Sequence, residues 1–423
     1  MFVGLAEAGR DSGEGPVHSR IHSQRIDTQS EQTDSEVRSR TPVSVVGALD
    51  WRLNGYLSGI GTLPGRVPKR TLWSLQLRGG RASFVWRAPI RDSATADVTP
   101  LLVSDGRPWL RDELATVLMA RFALPDVSGA VLTSNGDVVF MAVPMRGTHD
   151  VLLYRFAGDS RRIWQISRPG PGQLVQLAAF EDYVALIDIP SAGTATGHGA
   201  RLVVSQLAFE GSSASCVRPM GLWPTERIQR AHLQQVHELE QVHHVGIVNA
   251  YLVHGVCTLD LVLRDPLAPL RHGQLWRCFF AAQTGRTSRR LLTTNHVIDA
   301  TINPWRRGYA QRFAYLACVD AKTALCGLYR LDNNDVDNQW CTMPFAQSPN
   351  GLAIVTRPSG DLSHPPWLAT ILQDCANDTS KILLAPTSAL SREHCVLVML
   401  PAGTQLGRSL SWSAAPPRTS PDR

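Results

Sequence analysis

One local pattern recurs along this chain: an apolar strand carrying an aromatic side chain near one end, a polar turn, and a second short apolar strand. It reads Leu72-Trp73-Ser74-Leu75-Gln76-Leu77, then Arg78-Gly79-Gly80-Arg81, then Phe84-Val85-Trp86. It returns as Val151 to Phe156, Ala157-Gly158-Asp159-Ser160, Ile163-Trp164. Further copies run from Arg201 to Phe209 and on to Val217, from Leu275 to Leu292, and from Leu325 to Leu331 through Asn333-Asn334-Asp335 to Gln339-Trp340-Cys341. A hairpin of this size cannot bury its apolar face by itself. Units repeated over most of the chain must therefore stack on one another.

Turn chemistry extends the hairpin to four strands. Asn135-Gly136 joins Ala130-Val131-Leu132 to the run Val138 to Val143, because both turn positions favour positive φ. Glu181-Asp182 makes the same join between Val175 to Phe180 and Tyr183 to Ile189. Both second strands stop at a proline, Pro144 and Pro190, 46 residues apart, a residue that cannot donate to a strand ladder. Four strands repeating every 45 to 60 residues or so is the habit of a propeller blade. The expectation is an all-β chain, a six- or seven-bladed β-propeller over residues 42–405. Its ring would close by pairing Val43 to Leu49 with Cys395 to Leu400.

Two segments break the strand pattern and predict helices inserted between blades. The first, about 107–123, opens on Arg107-Pro108, lines Leu110, Leu114, Val117 and Leu118 on one face, and ends before Pro125. The second, about 225–243, starts at Thr225 as an N-cap and carries Ile228, Ala231, Val236, Leu239 and Val242. Insertions on a repeat ring project from one face, so Leu110, Leu114 and Leu239 are candidate partner contacts. Residues 1–41, rich in Ser, Arg, Gln and acids, predict a disordered tail, and 406–423 a flexible one. The acids Glu7, Asp11 and Glu14 argue against an export or organelle leader.

With 423 residues and 43% hydrophobic content the chain can bury a large core. No apolar run approaches the roughly 20 residues of a membrane-spanning helix. The net charge is +6, and nearly all the positive charge is arginine, the only lysines being Lys69, Lys322 and Lys381. These charges are scattered rather than massed, and Arg306-Arg307 is one of a few pairs, so nucleic acid is not the favoured partner. All eight cysteines lie in the second half with no Cys-x-x-Cys spacing, mostly inside apolar strands. That usage predicts small buried hydrophobes in a reducing compartment, the cytoplasm or nucleus.

Candidate chemistry is sparse. His237, Glu240 and His244 are spaced i, i+3, i+7 and would share one face of the second helix as a metal site. The metalloprotease pattern fails there, since the residue four after His237 is Gln241. Asp188, Asp260 and Asp299 could pair as acid and base across a central channel. Phosphate loops and nucleophile elbows are absent from the sequence. Trp73, Tyr154, Trp276 and Tyr329, with Trp86, Trp164 and Trp340, hold regular places in the units and predict packing wedges rather than a ligand ladder.

The phrases Thr71-Leu72-Trp73-Ser74-Leu75 and Leu325-Cys326-Gly327-Leu328-Tyr329-Arg330-Leu331-Asp332 resemble the third strand of a WD40 repeat, although no Trp-Asp dipeptide or regular Gly-His pair accompanies them. The resemblance implies a non-catalytic scaffold, a subunit of a multi-protein complex with no cofactor and no catalytic residue. Two alternatives stand beside it: a propeller enzyme acting on a glycan or small molecule, and an RNA-associated subunit using Arg306 and Arg307.

Overall fold

The computed structural model describes residues 5–6, 21–22, 41–63, 69–89, 100–104, 107–110, 129–132, 138–144, 148–157, 160–190, 199–207, 228–239, 244–264, 273–281, 284, 286–342, 347–356, 365–374, 379–401 and 404–414. These form six sheets of four or five strands, named here A to F in chain order, and two short strand pairs. The chain divides into two compact units, residues 1–35 with 112–240 and residues 36–111 with 241–423.

The first unit holds sheets B and C. Sheet B runs Gly129–Leu132, Val138–Pro144, Val151–Ala157 and Ser160–Ile166, consecutive and antiparallel, with Ile228–Arg230 added in parallel at its edge. Sheet C runs Gly172–Phe180, Tyr183–Pro190, Arg201–Gln206 and His232–Glu238. The Asn135-Gly136 and Glu181-Asp182 joins connect antiparallel strands as expected, and Glu181 takes φ +50° at its turn. An apolar layer of Leu153, Trp164, Ile166, Val184, Leu186 and Val203 lies between the two sheets.

The second unit holds sheets D, E, F and A. Sheet D runs His244–Val253, Val256–Arg264, Gln274–Ala281, Thr287–Leu291; sheet E runs His296–Thr301, Phe313–Val319, Cys326–Asp332, Gln339–Thr342. Sheet F is Gln347–Val355, Trp367–Asp374, Thr379–Pro386 and Val396–Met399, and Ser44–Val46 joins its edge with Val45 opposite Val398. That pairing is the seam expected from sequence. Sheet A, built on Asn54–Leu63, Lys69–Arg78 and Arg81–Pro89, receives Gln405–Ala414 from the other end of the chain. Separate apolar layers join D to E, E to F, and F to A. Each fully buried side chain in them, such as Leu57 or Trp73, contributes roughly 1.5–3 kcal/mol.

Burial follows position in the sheet. The second strand Val256–Arg264 is buried along seven consecutive residues, with Val262 in the layer shared with sheet E, whereas the fourth strand Thr287–Leu291 is exposed over four of its five. Trp73, Tyr154 and Trp164 are wholly buried, and Trp73 stacks on Phe84 at 5.9 Å, the packing role predicted for these aromatics.

Four expectations need correction. Segment 225–243 is not helical where described: Ile228–Arg230 and His232–Glu238 are edge strands of sheets B and C. From Gln234 to Leu239 exposure alternates residue by residue, and Val203 and Gln235's neighbour Val236 pair across strands; ladder pairing overrides the helical preference of Gln, Glu and Leu. In segment 107–123 the described part, Arg107–Leu110, is a strand paired with Pro100–Ser104, and Leu114 lies outside the described residues. Residues 406–414 of the expected C-terminal tail are strand, held by buried Leu406 and by Leu410 and Trp412 against the layer between A and F. Of the N-terminal tail, only the short pair Leu5–Ala6 and Ile21–His22 and the strand starting at Thr41 are described. The third hairpin copy also differs, since Arg201–Gln206 pairs with His232–Glu238 and Val217 lies outside the described residues.

Candidate functional site

Several of the polar residues buried in this apolar fold lie in cross-strand rows. In sheet C, Asp188 faces Arg201 across the register. Its Oδ1 accepts from Arg168 Nη1 at 2.8 Å and its Oδ2 from Arg201 Nη2 at 2.5 Å, with all three side chains nearly or fully buried. The turn Pro169-Gly170-Pro171-Gly172 wraps the guanidiniums: Arg168 also donates to the Gly172 carbonyl at 2.9 Å and Arg201 to the Pro171 carbonyl at 3.1 Å. Gly172 in that turn permits the close approach to charge, since a Cβ there would stand 2.5 Å from Asp188 Oδ1.

In sheet D the row is Asn249, Asp260 and Arg277, each opposite the next, ending on the exposed Arg290. Arg277 donates to both oxygens of Asp260, at 2.7 and 3.0 Å, and its guanidinium lies 5.8 Å from the ring of Tyr251. Burial, reinforced by the Asp260 charge, pushes the Tyr251 phenol up to about 12, so it stays protonated. In sheet E, Arg312 pairs with buried Asp332 at 2.8 Å, Arg330 pairs with Asp337, and both guanidiniums stand 4.8 Å from the Phe313 ring.

A second regularity is a bulge in the first strand of sheets C, D, E and F, at Leu174/Gln176, Ile247/Asn249, Val297/Asp299 and Asn350/Leu352. A bulge leaves backbone groups without ladder partners. Within the second unit a side chain from the preceding sheet meets that need: Asp299 of sheet E accepts from the Leu352 N–H in sheet F at 2.9 Å, beside Gly351 at φ +70°. Its other oxygen accepts from Ala300 N–H at 2.8 Å. Asn249, at the bulge of sheet D, instead reaches the loop between the first two strands of sheet E, donating to the Tyr309 carbonyl at 3.0 Å and accepting from Gly308 N–H at 3.3 Å.

These contacts decide what the predicted acids do. Asp188 and Asp260 are held by arginines and Asp299 by backbone donors, each in its own sheet, and the proposed acid–base pairing is not what their oxygens serve. The partners that sequence reasoning missed, Arg168, Arg201, Arg277 and Asn249, become visible only once strand register sets them opposite the acids.

The metal candidates lose their shared face. His237 is half-buried on His232–Glu238, where burial lowers its pKa and Gln235 Oε1 lies 3.3 Å away. His244 begins another strand, and Glu240 lies outside the described residues. Of the partner candidates, Leu110 closes the strand Arg107–Leu110, Leu239 donates its N–H to the Ala200 carbonyl at 2.8 Å, and Arg306 and Arg307 are exposed at the 3-10 turn Pro304–Arg306.

No protein-family model and no curated protein matches the chain. Solved structures do. The lignostilbene dioxygenase of Pseudomonas brassicacearum superposes with a TM-score of 0.68 at 12% identity, covering 90% of this chain and 96% of that one. Cobalt-substituted apocarotenoid oxygenase of Synechocystis gives 0.66 at 14% identity, over 89% and 96%, and a variant of the same enzyme gives 0.66 at 13% identity over the same shares. The chain is thus a mostly β-strand protein resembling the seven-bladed propeller of these oxygenases.

That likeness corrects the WD40 resemblance, the scaffold role drawn from it, and the expectation of a non-enzyme. The hairpin phrases reflect the packing that four-stranded blades share, and they do not discriminate among propellers. A metal of the kind that cobalt replaces in the Synechocystis enzyme finds no donor set among the described residues: no three His, Cys, Asp or Glu side chains converge there. The buried acids are already engaged, and His149, His254, His296 and His394 are exposed. His198, His243, His272 and His364 lie outside the described residues.

Proposed function

We propose that this chain is an enzyme acting on a small, conjugated molecule, of the oxygenase class with which it shares its fold. The observation that carries this reading is the superposition on lignostilbene dioxygenase over nearly the full length of both chains. Stilbenes and apocarotenoids are both apolar molecules with conjugated carbon–carbon double bonds, so that chemistry is the substrate class to try first. Glycan hydrolysis is the weaker form of the enzyme reading, because the acids it needs, Asp188, Asp260 and Asp299, are tied to arginines and backbone donors. No helix among the described residues is long and apolar enough to cross a membrane, and Cys278, Cys318, Cys341 and Cys395 are thiols in no disulfide, which fits a reducing compartment inside the cell.

The test is oxygen uptake and product mass spectrometry on the purified chain, supplied with a divalent transition metal and offered a stilbene or an apocarotenoid. Substrate-dependent oxygen consumption with cleaved product supports the reading. Metal-supplemented, folded protein that neither binds nor turns over either substrate class overturns it.

A further inference from the structure

We propose that Cys341 and Cys395 form a reversible disulfide, joining sheet E to sheet F, when the protein meets a small-molecule disulfide such as glutathione disulfide. Cys341 stands on Gln339–Thr342, the last strand of sheet E, and Cys395 immediately precedes Val396–Met399 of sheet F. Both thiols are free. Cys341 lies in the apolar layer between these sheets and Cys395 packs against it. Their two sulfurs are in hydrogen-bond contact. The Cys341 backbone is itself tightly held within sheet E: a Cβ on Gly327, which pairs with Thr342, would stand 2.6 Å from the Cys341 carbonyl oxygen and 2.8 Å from the Trp340 ring.

The two sulfurs differ in access. Cys341 is 3% exposed, whereas Cys395 is only half-buried and follows the exposed 3-10 turn Arg392–His394. Its S–H also lies 3.2 Å from the Ser391 carbonyl at the start of that turn. The sulfur contact splits the pair: with the Arg392 guanidinium nearby it holds the Cys341 thiol below the ordinary range against burial, and it pushes Cys395 up, so the shared proton rests on Cys395 and must leave before that sulfur attacks. Cys278 behaves differently, since burial pushes it up to about 11 and leaves it a protonated thiol.

The chemistry balances in two exchanges. The dithiol gives up a proton, and the accessible Cys395 sulfur attacks glutathione disulfide, breaking its S–S bond and releasing one glutathione thiolate, which takes up a proton. Cys341, losing its own proton, then attacks the Cys395–glutathione sulfur and expels the second glutathione. Two protein thiols are oxidised by two electrons and one glutathione disulfide is reduced to two thiols. The closed loop spans residues 341 to 395, so the disulfide restricts the unfolded chain.

The full chain is equilibrated across ratios of reduced to oxidised glutathione, remaining thiols are alkylated, and peptides are mapped by mass spectrometry. A Cys341–Cys395 linked peptide that reverts on reduction is expected, with a rise of a few degrees in Tm on oxidation. Cys395→Ser, on the exposed turn, should abolish both the peptide and the Tm response, and Cys341→Ser should stop the reaction at a glutathione adduct on Cys395. Both thiols remaining alkylatable in excess glutathione disulfide, or a persistent adduct on wild-type Cys395, would overturn the proposal, and neither outcome depends on catalytic activity.

Discussion

Asp260 and Arg277 face each other across adjacent antiparallel strands of sheet D, with the guanidinium donating to both carboxylate oxygens at 2.7 and 3.0 Å. The carboxylate is nearly buried and the arginine largely so. Desolvating two charges is costly, and the bidentate geometry is what offsets it. Asp260→Asn or Arg277→Met alone should therefore destabilise by about 3 kcal/mol or more, while the double change to apolar residues should cost much less than the sum. Urea unfolding of the three variants measures the coupling, and strictly additive losses would mean the pair is not a unit.

Gly172 should not tolerate a side chain. A Cβ there would stand 2.5 Å from Asp188 Oδ1, 2.7 Å from the Ile189 carbonyl and 2.8 Å from Arg201 Nη2. Gly172→Ala must push the buried ion cluster apart, at about 1–3 kcal/mol. Gly170→Ala, whose nearest contact would be Arg201 Nη1 at 3.4 Å, is the control and should be close to neutral. Equal Tm values for the two variants would refute the close approach.

Asp299→Ala removes the acceptor for two backbone N–H groups, one of them in the neighbouring sheet. The expected loss is about 1–3 kcal/mol, the cost of leaving buried donors unpaired. Asp299→Asn keeps one acceptor oxygen and should recover part of it. Amide exchange at Leu352 is the local readout: it should quicken in the alanine variant while amides of sheet D stay protected.

Tyr251 sets an alkaline limit. Its phenol ionises near 10 when unfolded and is pushed up to about 12 in the folded chain by burial and then by Asp260. Because the folded value is the higher one, the contribution is complete below pH 10 or so and is lost as pH rises toward 12. Tyr251→Phe should lose less stability than wild type over that interval, judged by denaturation midpoints; identical slopes would show that the ring is not desolvated.

Much of this architecture is legible in the sequence because turn residues and two-residue alternation are local. Asn135-Gly136, Glu181-Asp182 and the proline stops place strands where they are found, and the apolar run at Val43 beside that at Cys395 points to the seam. Edge strands escape sequence patterning for an equally physical reason. His232–Glu238 is polar and surface-facing, so its apolar residues report no buried face, and only pairing with Arg201–Gln206 makes it a strand. Gln405–Ala414 alternates short polar residues with Leu406, Leu410 and Trp412, and its burial depends on a layer contributed by residues hundreds of positions away.

By itself the sequence determined that the chain is built of repeated antiparallel β units needing one another for burial, since periodicity and turn preference act within a few residues. The tertiary structure alone decided which solved propellers the chain resembles and what its acids do. Whether Asp188, Asp260 or Asp299 is a reagent or a support depends on which arginine or amide register brings opposite it, and register is set by cross-strand neighbours far away in the chain.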